Sequence, residues 1–455
     1  SPGPPAWSGS SWKVSRALQL NDQGFLDSSS VDDLADQIEV GARQLSRLFQ
    51  DHLGASPVEV AQTRRLHFAK KLIDETRMPL SEICFAAGFG SVRRFNAVFD
   101  KTYGRSPKQL RDKTKPKPAP KILPRSSPVV KSHEHEASEN RNQVEKSADA
   151  IEIKLSYRPP YDWKSLLAFL AFRAIPGVEF VTQTSYARSF RFGDSCGHFV
   201  ASFAAESNEL VVQIVTPDSR HLYHIVDRVR SIFDLRADSA EIERYLAKDK
   251  LLKPMLKKTP GLRVPGCWDG FEVAVRAILG QQITVKAATT LVGRIVENYG
   301  QEYACDTNGI NRVFPNAEVL ATAQMSGLGI VTQRIAAIQA VAKLILEQKL
   351  SIDCLTDTDD FVKTICEVRG IGEWTAAYIA MRALNDPNAF PYSDLILRRA
   401  AASEGETLTA KQLLLKAQSW QPWRAYCVIL LWRNYRPPKK ATAKKAKAKK
   451  KELQT

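Results

Sequence analysis

The chain predicts a multidomain, mainly α protein in which a double helix-turn-helix block, an α+β domain and an all-α block follow one another. Three observations carry this. A short helix, a glycine turn and a second helix occur twice between Ser30 and Tyr103. A stretch from Asp112 to Ala150 has no apolar period. Strand-like segments after Ile151 give way, from Arg263 to Tyr435, to helical spacing. A chain of 455 residues, 44% of them hydrophobic, has length and apolar content for about two to four packed domains.

The elements follow in order. Residues 1–13 read as a linker, rich in Pro, Gly and Ser up to Ser10. A first compact block spans 14–112. Within it Ser30 to Ile38 is a capped short helix, Val40-Gly41 a turn, and Ala42 to Leu53 a helix with apolar residues at helical spacing. Ser56-Pro57 opens a long connecting helix through Leu66, Ala69 and Leu72. The pattern then recurs as Leu80 to Gly88, Phe89-Gly90, and Ser91 to Tyr103. Pro, Lys, Ser, Glu and Asn dominate 113–150, a flexible linker in which His133 and His135 are incidental. An α+β block occupies 151–262: short strands at Ile151–Leu155, Phe190–Phe192, Phe199–Phe203 and Leu210–Ile214, with helices at Trp163–Arg173 and Leu222–Phe233. The helical block runs over 263–436. A Lys-rich tail, 437–455, is of the kind that is disordered and binds polyphosphate without sequence preference.

Charge narrows the partner. The formal charge is +16, from 65 Lys and Arg against 49 Asp and Glu, which favours a polyanion. Seven scattered cysteines form no Cys-x-x-Cys pair, and their odd number suits free thiols in a reducing compartment. No cluster has metal-ligand spacing, so no metal or cofactor is expected. No apolar run reaches membrane-span length and no signal peptide opens the chain, so a soluble protein with no membrane partner is expected.

The chemistry concentrates in Glu367 to Asp394. Gly370 and Gly372 flank Ile371, a spacing that permits a tight turn at positive φ and close approach of a ligand to the backbone. A helix starting at Glu373 presents free first-turn N–H groups, a phosphate site. Trp374 and Tyr378 are four apart and stand on one helix face. The prolines at 387 and 391 force an irregular loop that delivers Asp394 to the start of the next helix. An Asp in that place is also an ordinary N-cap.

Gly370-Ile-Gly372, Trp374-Thr-Ala376, Tyr378 and Pro391-x-x-Asp394 resemble, in order and spacing, the signature of helix-hairpin-helix DNA glycosylases of the 3-methyladenine, AlkA type. Arg369 departs from it, standing where many relatives carry proline, and adds a cation to the hairpin. The likeness extends from Ile151 to Arg436 through Pro159 to Arg173, Gly280 to Val285 and Trp420 to Trp432. It implies Asp394 as the catalytic carboxylate, Trp374, Tyr378, Trp432 and Phe169 as the base pocket, and Arg369, Gly370 and Gly372 as the hairpin on the DNA backbone. Gln282 is implied as the wedge that fills the gap left by the extruded nucleotide, where the relative has an aliphatic residue. Phe169, an aromatic on an amphipathic helix, is equally an ordinary core residue.

Residues 14–111 resemble AraC-type DNA-binding domains, including Gly88-Phe89, Phe95, Phe99 and Gly104-x-Ser-Pro107. That likeness implies a second helix of each unit in a major groove, with Arg43, Gln44 and Arg47, and Ser91, Arg93, Arg94 and Asn96, as DNA contacts. The fusion is similar to Ada-like proteins, in which such a module follows a zinc-containing alkyl-acceptor domain. The chain begins with Ser1 rather than Met, and Ser1 to Trp7 resembles the junction after that domain.

What the resemblances imply is a bacterial, cytoplasmic, nucleoid-associated protein. It would release alkylated bases, of the 3-methyladenine and 7-methylguanine class, from double-stranded DNA, and regulate transcription of the alkylation response at a specific operator, with RNA polymerase as a further partner. A strand-cutting lysine is absent from its place two residues after the second hairpin glycine, where Trp374 stands, so a monofunctional glycosylase is expected. Two alternatives stay open: a regulator with an inactive glycosylase scaffold, and a glycosylase for another lesion.

Overall fold

The structure, a computed structural model, describes residues 10–22, 25–114, 150–307, 309–353, 356–403 and 406–436. The start of the chain, nearly all of the linker with its histidine pair, and the tail lie outside the described residues.

The first block is a double helix-turn-helix. Ser30 caps the Val31–Asp36 helix and Ser56 the Pro57–Glu75 helix, each in a capping box with the acid three residues on, Asp33 and Glu59. Ser91 caps the Val92–Tyr103 helix. The Ala42–Leu53 and Val92–Tyr103 helices each end at a glycine, Gly54 and Gly104, in the left-handed conformation that stops a helix. Both boundaries of the block move outward. A helix spans Ser10–Asp22, so the linker assigned to 1–13 gives way at Ser10. The last helix, Pro107–Thr114, runs beyond 112.

The α+β domain is built on a five-stranded antiparallel sheet: β1 Ile151–Ser156, β2 Glu179–Val181, β3 Ser185–Phe192, β4 Ser195–Ala204 and β5 Glu209–Val215, in the order β1-β5-β4-β3-β2. β5 alternates burial residue by residue and β1 does so from Glu152 on, whereas β3 is buried on both faces over Ser185–Phe190, because the helical domain covers the face that would otherwise meet water. The Trp163–Ala171 and Leu222–Ile232 helices pack through Leu166, Leu170, Ile225 and Val229 into one core with Phe199 and Trp268.

The third region is a helical bundle that carries one short antiparallel strand pair, Gln301–Glu302 with Arg312–Val313, and its core also takes in Ile175, Val178, Ile242 and Leu246 of the preceding block. The Gly270–Gly280 helix lies at its centre, buried along almost its whole length, beside the Glu373–Ala383 helix and the C-terminal Arg424–Asn434 helix. Gly270 admits no side chain: a Cβ there would sit 1.9 Å from the Ile352 carbonyl oxygen. Among the described residues no helix is long and apolar enough to cross a membrane.

The three parts touch. Phe68 meets the edge of Tyr223 at 5.2 Å, the Lys154 amide donates to Glu75 at 2.9 Å, and an Arg16 guanidinium N–H donates to the Thr356 carbonyl at 3.3 Å. The second helix-turn-helix unit therefore shares its apolar core with the α+β domain.

Candidate active site and nucleic-acid interface

Asp394 is the first residue to place. Its backbone leaves the irregular loop at φ −59°, ψ 125°, and it caps the Leu395–Ala400 helix by accepting from the Leu397 amide at 2.9 Å. The cap uses Oδ1. Trp432 Nε1 donates to the same oxygen at 3.2 Å, and Trp374 Nε1 donates to Oδ2 at 3.0 Å. The N-cap and the carboxylate that lines the cavity are one residue here. The cap fixes χ1 and the two indoles fix the carboxylate plane, leaving a pre-organised negative charge beside an open space.

That space is a cavity of about 450 Å³, lined by Trp374, Tyr378, Asp394, Ile396, Trp432, Tyr435, Ile283 and the aliphatic face of the Gly270–Gly280 and Val285–Tyr299 helices. The Trp374 and Tyr378 rings stack at 5.6 Å and 6° between planes, as spacing of four residues on a helix requires. Trp432 leans toward Tyr378 at 6.3 Å and 45°. Arg173 and Arg276 form its inner wall, which sequence reasoning had not included. Phe169 does not line this cavity. It lines an adjoining one of about 380 Å³ that shares Arg173 and Trp432, with the Arg173 guanidinium 3.7 Å above its ring. Asp162, which caps the helix bearing Phe169, accepts from Arg433 at 2.6 Å, so the elements carrying Phe169 and Trp432 are locked together.

The hairpin precedes the helix as expected, with one correction. Gly370 has φ +95°, but Gly372 sits at φ −112°, ψ 176°, the extended geometry of an N-cap. Only Gly370 is in the left-handed region; Gly372 instead leaves open space where a Cβ would point. Arg369, Gly370 and Gly372 are all exposed, at the positive end of the Glu373–Ala383 helix. Gln281 ties this hairpin to the neighbouring loop, its amide donating to the Gly370 carbonyl at 2.8 Å and to Thr375 Oγ1 at 3.0 Å. Arg334 in turn holds the Gln281 carbonyl. Gln282 is exposed at φ +56°, a conformation uncommon for a side-chain-bearing residue. The signal that Gln281 matters was its position beside Gln282; nothing in the sequence showed its partner 89 residues away.

On the other block, Arg43, Gln44 and Arg47 lie on the exposed face of the Ala42–Leu53 helix, and Ser91, Arg93, Arg94 and Asn96 at the exposed start of the Val92–Tyr103 helix. Their neighbours on the same helices, Leu45, Leu48, Phe49, Phe95 and Phe99, are buried. Among the described residues no group of three or more His, Cys, Asp or Glu is arranged to hold a metal ion.

Three profiles match along the chain. Residues 34–113 match a helix-turn-helix domain, 152–269 the AlkA N-terminal domain, and 275–425 the HhH-GPD superfamily base excision DNA repair protein. The chain is 33% identical over 438 residues to the "Probable bifunctional transcriptional activator/DNA repair enzyme AlkA" of Mycobacterium tuberculosis, covering 96% of this chain and 83% of that one. It is 31% identical over 300 residues to DNA-3-methyladenine glycosylase 2 of Escherichia coli, covering 61% of this chain and 95% of that one. Among solved structures, the 3-methyladenine DNA-glycosylase from Archaeoglobus fulgidus superposes with a TM-score of 0.55 at 21% identity, over 62% of this chain and 97% of that one, a likeness of fold.

Proposed function

The chain belongs to the bifunctional AlkA family, and from that premise we propose that it extrudes alkylated bases from double-stranded DNA into the 450 Å³ cavity and hydrolyses their glycosidic bonds at Asp394. DNA is the partner of both halves. The single observation that carries the reading is the Asp394 carboxylate, held by two cavity indoles at 3.0 and 3.2 Å.

A base inside a duplex hides its glycosidic carbon, so the nucleotide must rotate out of the stack. Gly370, Gly372 and Arg369 would hold the backbone while Gln282 enters the vacated space. Ring-nitrogen alkylation makes the base cationic and a good leaving group. Trp374, Tyr378 and Trp432 favour it by stacking and cation–π attraction, worth about 0.5–2 kcal/mol per contact. As the bond breaks, positive charge grows on the sugar, and a fixed carboxylate beside it stabilises that state more than the ground state. Phe169 acts from behind Arg173. The substrates would be of the 3-methyladenine and 7-methylguanine class.

The amino-terminal block is a sequence-specific operator reader, with Arg43, Gln44 and Arg47 in one major groove and Ser91, Arg93, Arg94 and Asn96 in the next. Its place is the bacterial cytoplasm, and RNA polymerase is its further partner at a promoter. The test is to incubate the full chain with methylated duplex DNA and identify released bases by chromatography. Free 3-methyladenine or 7-methylguanine is the expected product. Absence of any released base would leave a regulator on an inactive scaffold, and release of an oxidised purine or a mismatched thymine from parallel duplexes carrying those lesions, with none from the methylated one, would reassign the lesion.

A further inference from the structure

Behind the cavity lies a buried ionic network that the proposed chemistry does not use. Glu179 on β2 accepts from Arg276 at 3.1 Å, and Glu272 accepts from Arg188 at 2.7 Å and from Arg276 at 3.4 Å. Arg382 is buried as well, donating to the carbonyls of Pro265 and Gly266, the segment that crosses from the sheet domain to the helical one. Buried guanidiniums need acceptors or anions. Arg173, Arg188, Arg276 and Arg382 gather here around one small cavity with Glu179 and Glu272, and Asp394 stands across the larger cavity that Arg173 and Arg276 also line.

Two phenols sit in this network, in opposite surroundings. The Tyr186 hydroxyl donates to the Glu179 carboxylate at 2.5 Å, and burial together with that carboxylate pushes its pKa well above the ordinary tyrosine value. Tyr186 stays neutral. The Tyr378 hydroxyl accepts from Arg382 Nη1 at 3.0 Å and is faced by Arg173 and Arg276. Burial alone would push that phenol up, and the three guanidiniums override it, holding it below the ordinary value. Groups of one type driven apart by environment mark assigned roles. The Tyr378 ring, unlike that of Tyr186, is a cavity wall.

We propose that Tyr378 works as a tyrosinate when a cationic base stacks against it, an anionic wall held by Arg382 and Arg173 that selects positively charged bases over neutral ones. The phenol proton passes to water through the open cavity as the base enters. The charged groups around the hydroxyl are Arg382 on its own helix, Arg173 beyond the Trp163–Ala171 helix, Arg276 on the Gly270–Gly280 helix and Asp394 at the next helix start. Cys267, beside Arg382, is kept neutral by burial, which pushes its thiol up to about 12. Tyr435 lines the same cavity from the end of the C-terminal helix. Arg382 does not touch the base; it is a positioning residue. The proposal rests on the cavity being the base site.

The test has a spectroscopic arm that needs no turnover. The full-length protein, with a methylated duplex bound, is titrated from about pH 6 to pH 10 by ultraviolet absorbance, and the Tyr378→Phe trace is subtracted to isolate one of the twelve tyrosines. A tyrosinate that forms ahead of the others, later in Arg382→Gln and early again in Arg382→Lys, is the expected result. Titration of Tyr378 together with the bulk tyrosines overturns the proposal. In the kinetic arm, single-turnover release of 3-methyladenine from methylated DNA is compared with release of hypoxanthine, a neutral base. The ratio should rise with pH through the same transition, and in Tyr378→Phe it should be flat and about tenfold lower. An unchanged ratio in Tyr378→Phe also overturns it. If no base leaves any duplex, the glycosylase reading fails instead, and the absorbance arm still decides the ionisation of Tyr378.

Discussion

Trp374 and Asp394 are joined by a 3.0 Å hydrogen bond from indole to carboxylate across twenty residues of helix and loop, and the bond ties a cavity wall to the charge the cavity was built around. Asp394→Asn tests what that charge does. An amide can still cap the Leu395–Ala400 helix, but it offers one acceptor oxygen where two indoles and a backbone amide now donate. Base release should fall at least about a hundredfold, as for removal of a positioned catalytic group, while DNA affinity stays close to wild type. Single-turnover excision and a filter-binding titration measure the two separately.

The hairpin glycines separate two uses of a missing side chain. At Gly370 the chain itself demands glycine: φ is +95°, and a Cβ would meet the Gln333 side chain at 3.3 Å. Gly370→Ala should therefore cost about 1 kcal/mol or more of folding stability. At Gly372 the backbone is extended and nothing lies within 4 Å of where a Cβ would stand, so Gly372→Ala should leave the melting temperature unchanged. If a phosphate approaches that open side, the same methyl group weakens DNA binding. Thermal melts beside DNA titrations of both variants check this, and equal affinity of Gly372→Ala and wild type would remove Gly372 from the DNA face.

Much of this was legible locally. Ser30, Ser56 and Ser91 announced their helices because a cap and its partner lie within three residues of each other. The stacking of Trp374 on Tyr378 followed from helical spacing alone. β2 was missed because three residues are too few to show a period. The arginine network was invisible for another reason: Arg173, Arg188, Arg276 and Arg382 arrive from four separate segments, and only the packing of sheet against bundle brings them to Glu179, Glu272 and Tyr378. Phe169 was drawn toward the cavity by resemblance, and Arg173 stands between.

Asp234 makes stability depend on pH. Its Oδ2 accepts from the Val264 amide at 3.0 Å and from Tyr426 at 2.9 Å, joining the sheet domain to the helix that carries Trp432. Burial outweighs these bonds and the nearby Arg263, and raises the carboxyl from 3.8 to about 6. The folded state thus keeps a proton that the unfolded chain releases. The resulting stabilisation is complete below about pH 4 and is lost as pH rises through about 6, amounting to roughly 2–3 kcal/mol. Denaturant melts from pH 4 to pH 7.5 should show this slope in wild type relative to Asp234→Asn; parallel curves would show that Asp234 does not titrate in that window.

The last prediction concerns the strand after the base has gone. A glycosylase that also cuts DNA needs an amine that reaches the sugar carbon, forms a Schiff base and can be trapped by reduction. The position two residues beyond the second hairpin glycine is where such a lysine stands in strand-cutting relatives, and here it is Trp374, whose indole nitrogen is spent on Asp394 and has no free lone pair to attack with. Its neighbours are no better placed. Glu373 accepts from Tyr392, Thr375 accepts from Gln281, and Arg369 carries a guanidinium rather than an amine. Arg173 and Arg276, on the inner wall, are guanidiniums too. Among the described residues no lysine lines the cavity. Water is then the expected nucleophile, and the abasic strand should remain intact. Borohydride added during turnover on a methylated duplex should trap no protein–DNA adduct, and the product strand should break only on later treatment with alkali. An adduct that disappears when one lysine is replaced by alanine would establish an amine nucleophile and displace Asp394 from the centre of the mechanism.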